Sequence, residues 1–409
     1  MTNQNIKEVL AMNDVQKLFE IFDKNQIYLV GGCVRNAFSN RDVKDIDFAS
    51  TLEPEQVIGV LDKNKIKFLD IGKEHGTITA IINNTKYEIT SCRSDIKTDG
   101  RHALVDYTSD IKVDSNRRDF TFNAIYVDQS GDIFDFHNGL KDLEKNKVQF
   151  IGDVERRIQE DYLRILRFFR FHCEHSPDHI SESELLLIKK HINGLKKVSK
   201  ERLWIELKNI IEHKNSSYIL KKMQDTGLFS VVFEGIIVEK SFEKLNNNLV
   251  NLNLSGTNMC KLAILLNNDE KTINSFISEN PLSKIEQNNL INLSNIHSSI
   301  VSYMSMREAR AALYRLGKDN FTNQVLCQWS KDLNDKTTIN WRALIEVASS
   351  WSRPEFTVKA SDVINMGISE GPELGEILEE LEEWWINNDF IDDQFSLIER
   401  LKAICFARH

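Results

Sequence analysis

The chain has 409 residues, 41% of them hydrophobic and 28% charged, with a formal net charge of −9. This composition is typical of a soluble globular protein with about two to four domains. The negative net charge argues against a protein that coats nucleic acid through bulk charge, but it is compatible with a local basic groove. No apolar segment approaches the roughly 20 residues that a membrane span needs.

The N-terminal residues and the cysteine pattern indicate the cellular compartment in which the protein is expected. Residues 1–22 lack the basic region and the arginines of a secretory signal or a transit peptide, and they predict an amphipathic helix of the mature fold. The six cysteines are scattered and form no CxxC pair. This pattern argues against a metal site or a disulfide framework and favours reduced thiols. We therefore expect a cytoplasmic protein.

Residues 28–136 predict a mixed α/β unit. Strand-like segments follow one another between turn signals such as Asn83-Asn84 and Ser130-Gly131, and one helix is expected near residues 34–40. The strand-like segments are YLVGG, IDFAS, ITAII, KYEITS, FNAIYV and DIFDF.

From about residue 142 onward, apolar residues recur at helical spacing and strand signals almost vanish. Loops between helices are expected near residues 174–182, 252–258 and 352–356. The predicted fold class is therefore an α/β head, with a mixed β-sheet and helices, followed by an all-helical remainder.

The segment that opens the α/β unit contains a glycine pair, Gly31 and Gly32. Glycines at a strand-to-helix turn offer backbone N–H groups to phosphate oxygens. Arg35 can add a charge-assisted contact to a triphosphate. A dinucleotide-binding interpretation is poor because GGCVRN lacks the third glycine of GxGxxG.

Two aspartates one residue apart follow this turn. In a β-strand, residues i and i+2 point to one face, so Asp45 and Asp47 would present both carboxylates to one point. Such a pair suits two Mg²⁺ ions in nucleotidyl transfer, with Glu88 of the KYEITS strand as a further carboxylate. Ordinary surface carboxylates at a strand edge are the alternative for this motif taken alone.

The segment EDYLRILRFFRF, residues 160–171, predicts a helix with one polar stripe. Arg157, Asp161, Arg164 and Arg167 recur at i, i+3 and i+4 spacing among apolar residues. The stripe either lines a wet cavity or forms a solvated salt-bridge face. In a cavity, one carboxylate and one guanidinium would accept C and A, which share an amino group beside an unprotonated ring nitrogen, and would reject G and U.

The segment between Glu88 and Arg117 carries Asp99-Gly100 and many charges. These features suit a moving lever that adjusts the base-reading pair between C and A, and a surface loop is the alternative. Farther along, a basic cluster is a candidate contact for nucleic-acid phosphates, although a solvated helix face fits it equally well. This cluster consists of Lys196, Lys197, Lys200 and Arg202.

Four motifs occur in a fixed order: GGCVRN with DIDFAS, RRDFTFNA at 117–124, EDYLRILRFFRF at 160–171, and SKERLWIEL at 199–207. Together they resemble class II tRNA nucleotidyltransferases, the CCA-adding enzymes, and the closely similar bacterial poly(A) polymerases. The likeness covers roughly residues 26–215 and recurs near 367–385. It implies a catalytic nucleotidyltransferase head and a helical neck with base recognition, then a helical body and a helical, tRNA-binding tail. The corresponding ranges are 1–142, 143–215, 216–300 and 301–409.

The resemblance also implies roles for individual residues. Asp45 and Asp47 match the metal-binding catalytic carboxylates, and Glu88 is the third catalytic candidate. The candidate nucleotide-binding residues are Gly31, Gly32, Arg35, Arg117, Arg118, Asp119, Asn123, Asp161, Arg164, Arg167 and Arg170. One departure is visible, because Asn36 stands where the motif GGxVRD carries an aspartate. We expect this change to tune the site locally.

The expected function is that of a template-independent nucleotidyltransferase that adds or repairs the 3′ CCA of tRNA. Its substrates would be CTP and ATP, its cofactor two Mg²⁺ ions, and its partner the tRNA acceptor arm, with no membrane and no obligate protein partner. A poly(A) polymerase or an A-adding enzyme on the same scaffold is the alternative. A non-catalytic RNA-binding paralogue would have lost a metal carboxylate, and none is lost here.

Overall fold

The structure is a computed structural model that describes residues 4–98, 103–176, 180–254, 258–294 and 300–408. The chain forms two compact units, residues 1–234 and 235–409. The finer division into head, neck, body and tail stays a prediction. No helix among the described residues has the length and apolarity that crossing a membrane requires.

All the strands of the described residues lie in the first unit. They are β1 Ile27–Val30, β2 Asp47–Ser50, β3 Lys67–Leu69, β4 Thr77–Ile82, β5 Thr85–Ser91, β6 Arg93–Thr98, β7 Ala103–Tyr107, β8 Ile125–Val127 and β9 Ile133–Asp135. Seven of them form one mixed sheet in the order β3-β4-β5-β2-β1-β8-β9, while β6 and β7 form a separate hairpin. Within the large sheet, β2 and β5 run parallel and the other pairs are antiparallel.

Each of the six strand-like segments contains a strand of the large sheet. Three strands were missed. The short β3 reads KFL and lies at the sheet edge with little burial, so it lacks an apolar alternation. The hairpin β6–β7 lies in the segment predicted as a lever, and Asp99-Gly100 of that segment lies outside the described residues.

The helices of the first unit are α1 Gln4–Leu10, α2 Asn13–Ile21, α3 Gly32–Phe38, α4 Pro54–Lys63, α5 Ile111–Arg117, α6 Gly139–Glu144, α7 Val154–Glu160, α8 Arg164–His175, α9 Glu182–His191, α10 Lys200–Glu212, α11 Ser216–Asp225 and α12 Phe229–Val232. The N-terminal amphipathic helix was correctly expected, since α2 buries Val15, Leu18 and Phe19. The Phe19 ring packs edge-on against Phe48 of β2, with 5.6 Å between ring centroids. This contact joins the N-terminal helices to the centre of the sheet.

The second unit is helical throughout its described residues. Its helices are α13 Lys240–Asn251, α14 Asn258–Leu265, α15 Glu270–Glu279, α16 Lys284–Ser294, α17 Met306–Leu316, α18 Lys318–Lys331, α19 Thr338–Ser350, α20 Ala360–Ile364, α21 Pro372–Asn387 and α22 Gln394–Arg408. Trp385 is buried in the core that α17, α21 and α22 share, and Trp384 packs against the same core. The predicted α/β head with a helical remainder is thus confirmed.

The single helix predicted over residues 160–171 is wrong. The chain leaves the helical conformation after Glu160, because Asp161 adopts extended backbone angles of φ −150° and ψ 107°. Its Oδ1 accepts a hydrogen bond from the N–H of Leu163 at 3.0 Å. Aspartate favours such local side-chain-to-backbone bonds over helix continuation, so α8 restarts at Arg164.

Gly139 is expected to be essential for packing at the start of α6. A Cβ built on this residue would lie 2.4 Å from the backbone oxygen of Thr121. Gly139→Ala should therefore destabilise the protein by about 1–3 kcal/mol, because the backbone of residue 121 must shift. Gly59→Ala in the interior of α4 is the matched control, since a Cβ there meets nothing within 4 Å. In urea unfolding, the free energy of unfolding of Gly59→Ala should be about 0.5–1 kcal/mol higher than that of the wild type. Equal stability of the two variants would contradict the packing argument.

Candidate active site

The turn from β1 into α3 forms one wall of the candidate site. Gly31 has φ 79° and ψ −130°, a conformation that side chains rarely adopt, so the turn requires glycine. A Cβ at this position would lie 3.9 Å from both Asp47 Oδ2 and Arg118 Nη1. The turn therefore places backbone without a side chain next to the Asp47 carboxylate and the Arg118 guanidinium.

The carboxylates lie at the beginning of β2. Asp47 is the first residue of the strand and pairs in parallel register with Glu88 of β5. Asp45 precedes the strand, so the prediction that both aspartates share one strand is wrong for Asp45. The pairing of β2 with β1 and with β5 begins only at residue 47, and residues 41–46 form the connection from α3. Ile46 and Phe48, the residues on either side of Asp47, are buried.

The Asp47 carboxylate is partly buried among other acidic groups. Burial raises its pKa to about 6, and Glu88 and Asp45 add to the rise, while Arg118 and Arg35 oppose it. Among the described residues, no hydrogen bond or ion pair engages its side chain. The group is therefore available to a cationic ligand.

Asp114 of α5 holds the two arginines of the RRDFT motif. Its side chain is fully buried and accepts hydrogen bonds from Arg117 Nε at 2.7 Å, Arg118 Nε at 3.2 Å and the Tyr126 hydroxyl at 2.6 Å. Burial alone would raise the pKa of Asp114, but Arg118 and Arg117 lower it to about 2. The sequence analysis missed this residue. Its spacing of three and four residues before two arginines on a helix was the available signal.

A chain of hydrogen bonds links the glycine turn to α8. Arg35 Nη1 donates to Asn123 Oδ1 at 2.7 Å, and Asn123 Nδ2 donates to Asp119 Oδ1 at 3.0 Å. Arg167 Nε then donates to Asp119 Oδ2 at 2.6 Å. The four residues come from three segments that are far apart in the sequence. All four had been predicted to bind nucleotide.

Phe171 and Glu206 support the arginines of α8 and were not predicted. The Phe171 ring lies under Arg35 and Arg170, with 5.0 and 4.1 Å from each guanidinium carbon to the ring centroid. Glu206 of α10 is buried and accepts from Arg170 Nε at 2.6 Å. An apolar ring and a distant acidic residue carry no local sequence signal for this role.

The proposed base-reading pair has separate protein partners. Asp161 Oδ2 accepts from Arg202 Nη2 at 2.8 Å. Arg164 Nη1 donates to Glu160 Oε2 at 2.9 Å and to the carbonyl of Arg157 at 2.8 Å. Asp161 and Arg164 thus line the same space with no hydrogen bond between their side chains, although the Arg164 N–H donates to the Asp161 carbonyl at 3.0 Å.

Arg202 was predicted with the basic RNA-binding cluster, and the structure instead places it in the cavity, on Asp161. The three lysines of that cluster do not line the cavity. Lys196 is exposed, Lys197 lies over the Tyr162 ring, and Lys200 donates to the carbonyl of Val232 at 3.4 Å. Their contact with RNA stays a prediction.

These segments enclose one cavity of about 460 Å³. All eleven predicted nucleotide-binding residues line it, and Asp47, Leu163, Phe171 and Arg202 complete the lining. Asp45 and Glu88 are not among the lining residues but adjoin it through Asp47. Seven of the lining side chains are arginines. The chain is acidic overall, yet this cavity is strongly basic and suits a polyanionic ligand.

Comparison with known proteins agrees with this geometry. Residues 27–149 match the family model of the poly A polymerase head domain, and residues 179–239 match the model of the probable RNA and SrmB-binding site of polymerase A. The human CCA tRNA nucleotidyltransferase 1, mitochondrial, is 31% identical over 415 residues, which cover 96% of this chain and 91% of the relative. The chain therefore belongs to the family of class II CCA tRNA nucleotidyltransferases and poly(A) polymerases, as its motifs indicated.

Solved structures show the same fold. The CCA-adding enzyme of Bacillus stearothermophilus in complex with CTP has a TM-score of 0.75 and 22% identity, over 99% of this chain and 98% of that one. The Thermotoga maritima CCA-adding enzyme complexed with tRNA-CCA has a TM-score of 0.67 and 20% identity, over 97% and 98% of the two chains.

Replacement of Asp47 should stabilise the metal-free protein. Between about pH 4 and 6 the folded chain holds a proton on Asp47 that the unfolded chain has lost, so the free energy of unfolding falls as the pH rises through this window. Above about pH 6, the ionised Asp47 carboxylate lowers the free energy of unfolding by on the order of 2–3 kcal/mol. In chelator at pH 7.5, Asp47→Asn should unfold at a higher temperature than the wild type, and the difference should shrink toward pH 4.

Asp42→Asn is the control for this measurement, because Asp42 is an exposed acidic residue of the same connection. Its thermal unfolding should follow the wild type at both pH values. An Asp47→Asn variant that is less stable than the wild type at pH 7.5 would contradict the interpretation that burial and neighbouring carboxylates destabilise the charged form.

Proposed function

We propose that this chain adds or repairs the 3′-terminal CCA of tRNA, transferring nucleotidyl groups from CTP and ATP to the RNA 3′ hydroxyl with release of pyrophosphate. The observation that carries the proposal is the convergence of all four motifs on one arginine-lined cavity beside Asp47. Family membership and the near-complete coverage of the human CCA tRNA nucleotidyltransferase support it.

The chain's carboxylates fit a magnesium site. The Asp47 carboxylate is partly buried, unpaired among the described residues and crowded by Asp45 and Glu88, as expected of a group that a divalent cation neutralises. No set of three or more His, Cys, Asp or Glu side chains in the described residues could hold a metal ion by itself. Asp45 and Asp47 would therefore hold two Mg²⁺ ions together with phosphate oxygens and water. Bound there, the ions would neutralise charge on the phosphates and acidify the attacking hydroxyl.

The arginines hold the triphosphate in this proposal. Arg117 and Arg118 are kept in place by Asp114, and their remaining N–H groups can donate to phosphate oxygens. Arg35 approaches the same space from the glycine turn. Glu88, one strand away from Asp47, is the group that would accept the proton of the RNA 3′ hydroxyl.

Asp161 and Arg164 select the base. A carboxylate has about four lone-pair sites and a guanidinium five N–H donors, so each group keeps capacity beyond its protein partners. The Asp161 carboxylate would accept from the amino group of C or A, and Arg164 would donate to the neighbouring ring nitrogen. G and U present a carbonyl and a ring N–H at these positions, which leaves polar groups unpaired at a cost of about 1–3 kcal/mol each.

A cytoplasmic location also belongs to this proposal. All six cysteines are buried and free in the structure, which is typical of a reducing compartment. Staining of intact cells with an antibody against the chain would test the location directly.

Incorporation of radiolabelled CTP and ATP into a tRNA transcript that lacks CCA tests the activity. We expect two C residues and then one A, with termination after A. Long A-tailing without CTP would instead make the chain a poly(A) polymerase. Addition of A alone, and only to tRNA that ends in CC, would make it an A-adding enzyme.

Loss of either aspartate should abolish this incorporation. Asp45→Ala and Asp47→Ala are each expected to lower the rate by at least about a thousandfold, because metal-assisted transfer supplies most of the acceleration, while tRNA binding in a filter assay should persist. Asp42→Ala serves as the control from the same connection. Full residual activity in Asp47→Ala would overturn the metal assignment.

Arg164→Ala should relax base choice before it abolishes catalysis. Loss of one hydrogen bond that discriminates bases should reduce the ratio of CTP to UTP incorporation by roughly 10-fold or more. Lys189→Ala, an exposed residue of α9, should leave that ratio unchanged. An unaltered ratio in Arg164→Ala would refute the base-reading role.

A further inference from the structure

The arginines that line the cavity differ in how their charge is compensated. Six of the seven form an ion pair with a carboxylate within the described residues. Arg35 instead makes its side-chain hydrogen bonds to the amide oxygens of Asn36 and Asn123. The six ion pairs are Arg117 and Arg118 with Asp114, Arg164 with Glu160, Arg167 with Asp119, Arg170 with Glu206, and Arg202 with Asp161.

The contact between Arg35 and Asn36 has the geometry of an ion pair without its charge. Arg35 Nε and Nη2 both donate to Asn36 Oδ1, at 3.2 and 3.1 Å. On the other side, Nη1 donates to Asn123 Oδ1 at 2.7 Å. Only 8% of the Arg35 surface is exposed. A buried guanidinium held by neutral groups keeps its full charge for a further partner.

The Asn36 amide also donates a hydrogen bond that a carboxylate could not. Its Nδ2 donates to the carbonyl of Asp42 at 3.2 Å. Asp42 lies in the connection that leads to Asp45 and Asp47. Asn36 therefore holds the phosphate-binding arginine with its oxygen and the aspartate-bearing connection with its nitrogen.

We propose that Asn36 is a positioning residue that orients Arg35 without compensating its charge, so that the guanidinium is reserved for the triphosphate of CTP and ATP. The inference rests on the proposed function in that it assumes a nucleoside triphosphate as ligand. Asparagine in place of the motif's aspartate thus strengthens triphosphate binding in this chain. The triphosphate is common to both nucleotides, so the effect is the same for CTP and ATP and leaves base choice untouched.

Asn36→Asp tests the proposal because it keeps the shape of the side chain while it adds a charge and removes the Nδ2 donor to the Asp42 carbonyl. The carboxylate would pair with Arg35 and compete with the triphosphate, so the dissociation constants of CTP and ATP should each rise roughly five- to tenfold. The constant for inorganic pyrophosphate should rise by a similar factor. In turnover, KM should rise by that factor for both nucleotides, while kcat changes by less than about twofold.

Although Asn36→Asp should bind nucleotides more weakly, it should be more stable than the wild type in the absence of ligand. In Asn36→Asp, the buried guanidinium gains a charge partner. Because a hydrogen bond between charged groups contributes more than the neutral one to the Asp42 carbonyl that is lost, the variant should have a higher thermal unfolding temperature than the wild type. A merely structural role would predict lower stability together with weaker binding. An Asn36→Asp protein that is less stable, or that binds nucleotide as tightly as the wild type, would overturn the proposal.

Asn36→Ala is the second variant, since it removes the amide without adding a charge. Arg35 then keeps its charge but loses its orienting oxygen, so nucleotide binding should weaken by no more than about threefold, and thermal stability should fall. Equal loss of affinity in Asn36→Ala and Asn36→Asp would show that charge plays no part.

Equilibrium binding measured without RNA separates this inference from the proposed function. If the wild type makes no CCA end but Asn36→Asp binds CTP, ATP and pyrophosphate more weakly, the proposed function fails and the charge inference stands. If the wild type makes the CCA end and Asn36→Asp binds these ligands as the wild type does, the inference alone fails.

Discussion

Seven guanidinium groups line one cavity of a chain whose net charge is −9. The site depends on the carboxylates that offset the repulsion between these guanidinium groups. Like charges repel strongly in partly buried surroundings, where screening by water is weak. Each of these cations except Arg35 forms an ion pair with a carboxylate. The cavity is thereby stable without a ligand and still presents N–H groups to one.

These ion pairs also connect distant parts of the first unit. Arg167 on α8 reaches Asp119 of the RRDFT motif, Arg170 on the same helix reaches Glu206 of α10, and Arg202 reaches back to Asp161. Arg170 and Glu206 form the most buried of these pairs, and removal of one partner from a buried pair leaves an uncompensated charge at a cost of about 3–5 kcal/mol. The ion pairs of the cavity therefore also hold together the elements that form it.

Two charged groups of the site have no bonded partner of opposite charge among the described residues. Asp47 is an acidic group without a bonded partner among the described residues, and Arg35 is a basic group whose side-chain hydrogen bonds go to amide oxygens. Both are partly or fully buried, so each destabilises the ligand-free protein to some degree. A nucleoside triphosphate with its magnesium ions carries the complementary charges. Binding sites commonly retain such locally unfavourable groups, because their energy is recovered when the ligand binds.

Much of the fold was predictable, because local patterns carry it. Strand alternation and turn residues identified the six segments of the large sheet, and helical periodicity identified the helical remainder. The edge strand β3 and the hairpin β6–β7 were missed, because short, charged strands are held by pairing with neighbours rather than by an apolar pattern. The break at Asp161 was missed because helical spacing continues through it, and only a side-chain bond to Leu163 ends α7 there.

The sequence by itself determined which residues form the candidate site, since the four motifs contain every polar side chain that lines the cavity. Among these, only Arg202 had been predicted to contact RNA rather than to belong to the nucleotide site. Only the tertiary structure decided how these groups are connected. Asp114, Glu206 and Phe171 act on arginines through contacts that form when distant elements pack together. Charge compensation is likewise a property of three-dimensional neighbours. The sequence shows that Asn36 replaces an aspartate, but only the packed structure shows that Arg35 is hydrogen-bonded to amide oxygens, with carboxylates such as Glu174 and Asp119 acting on it without a direct bond.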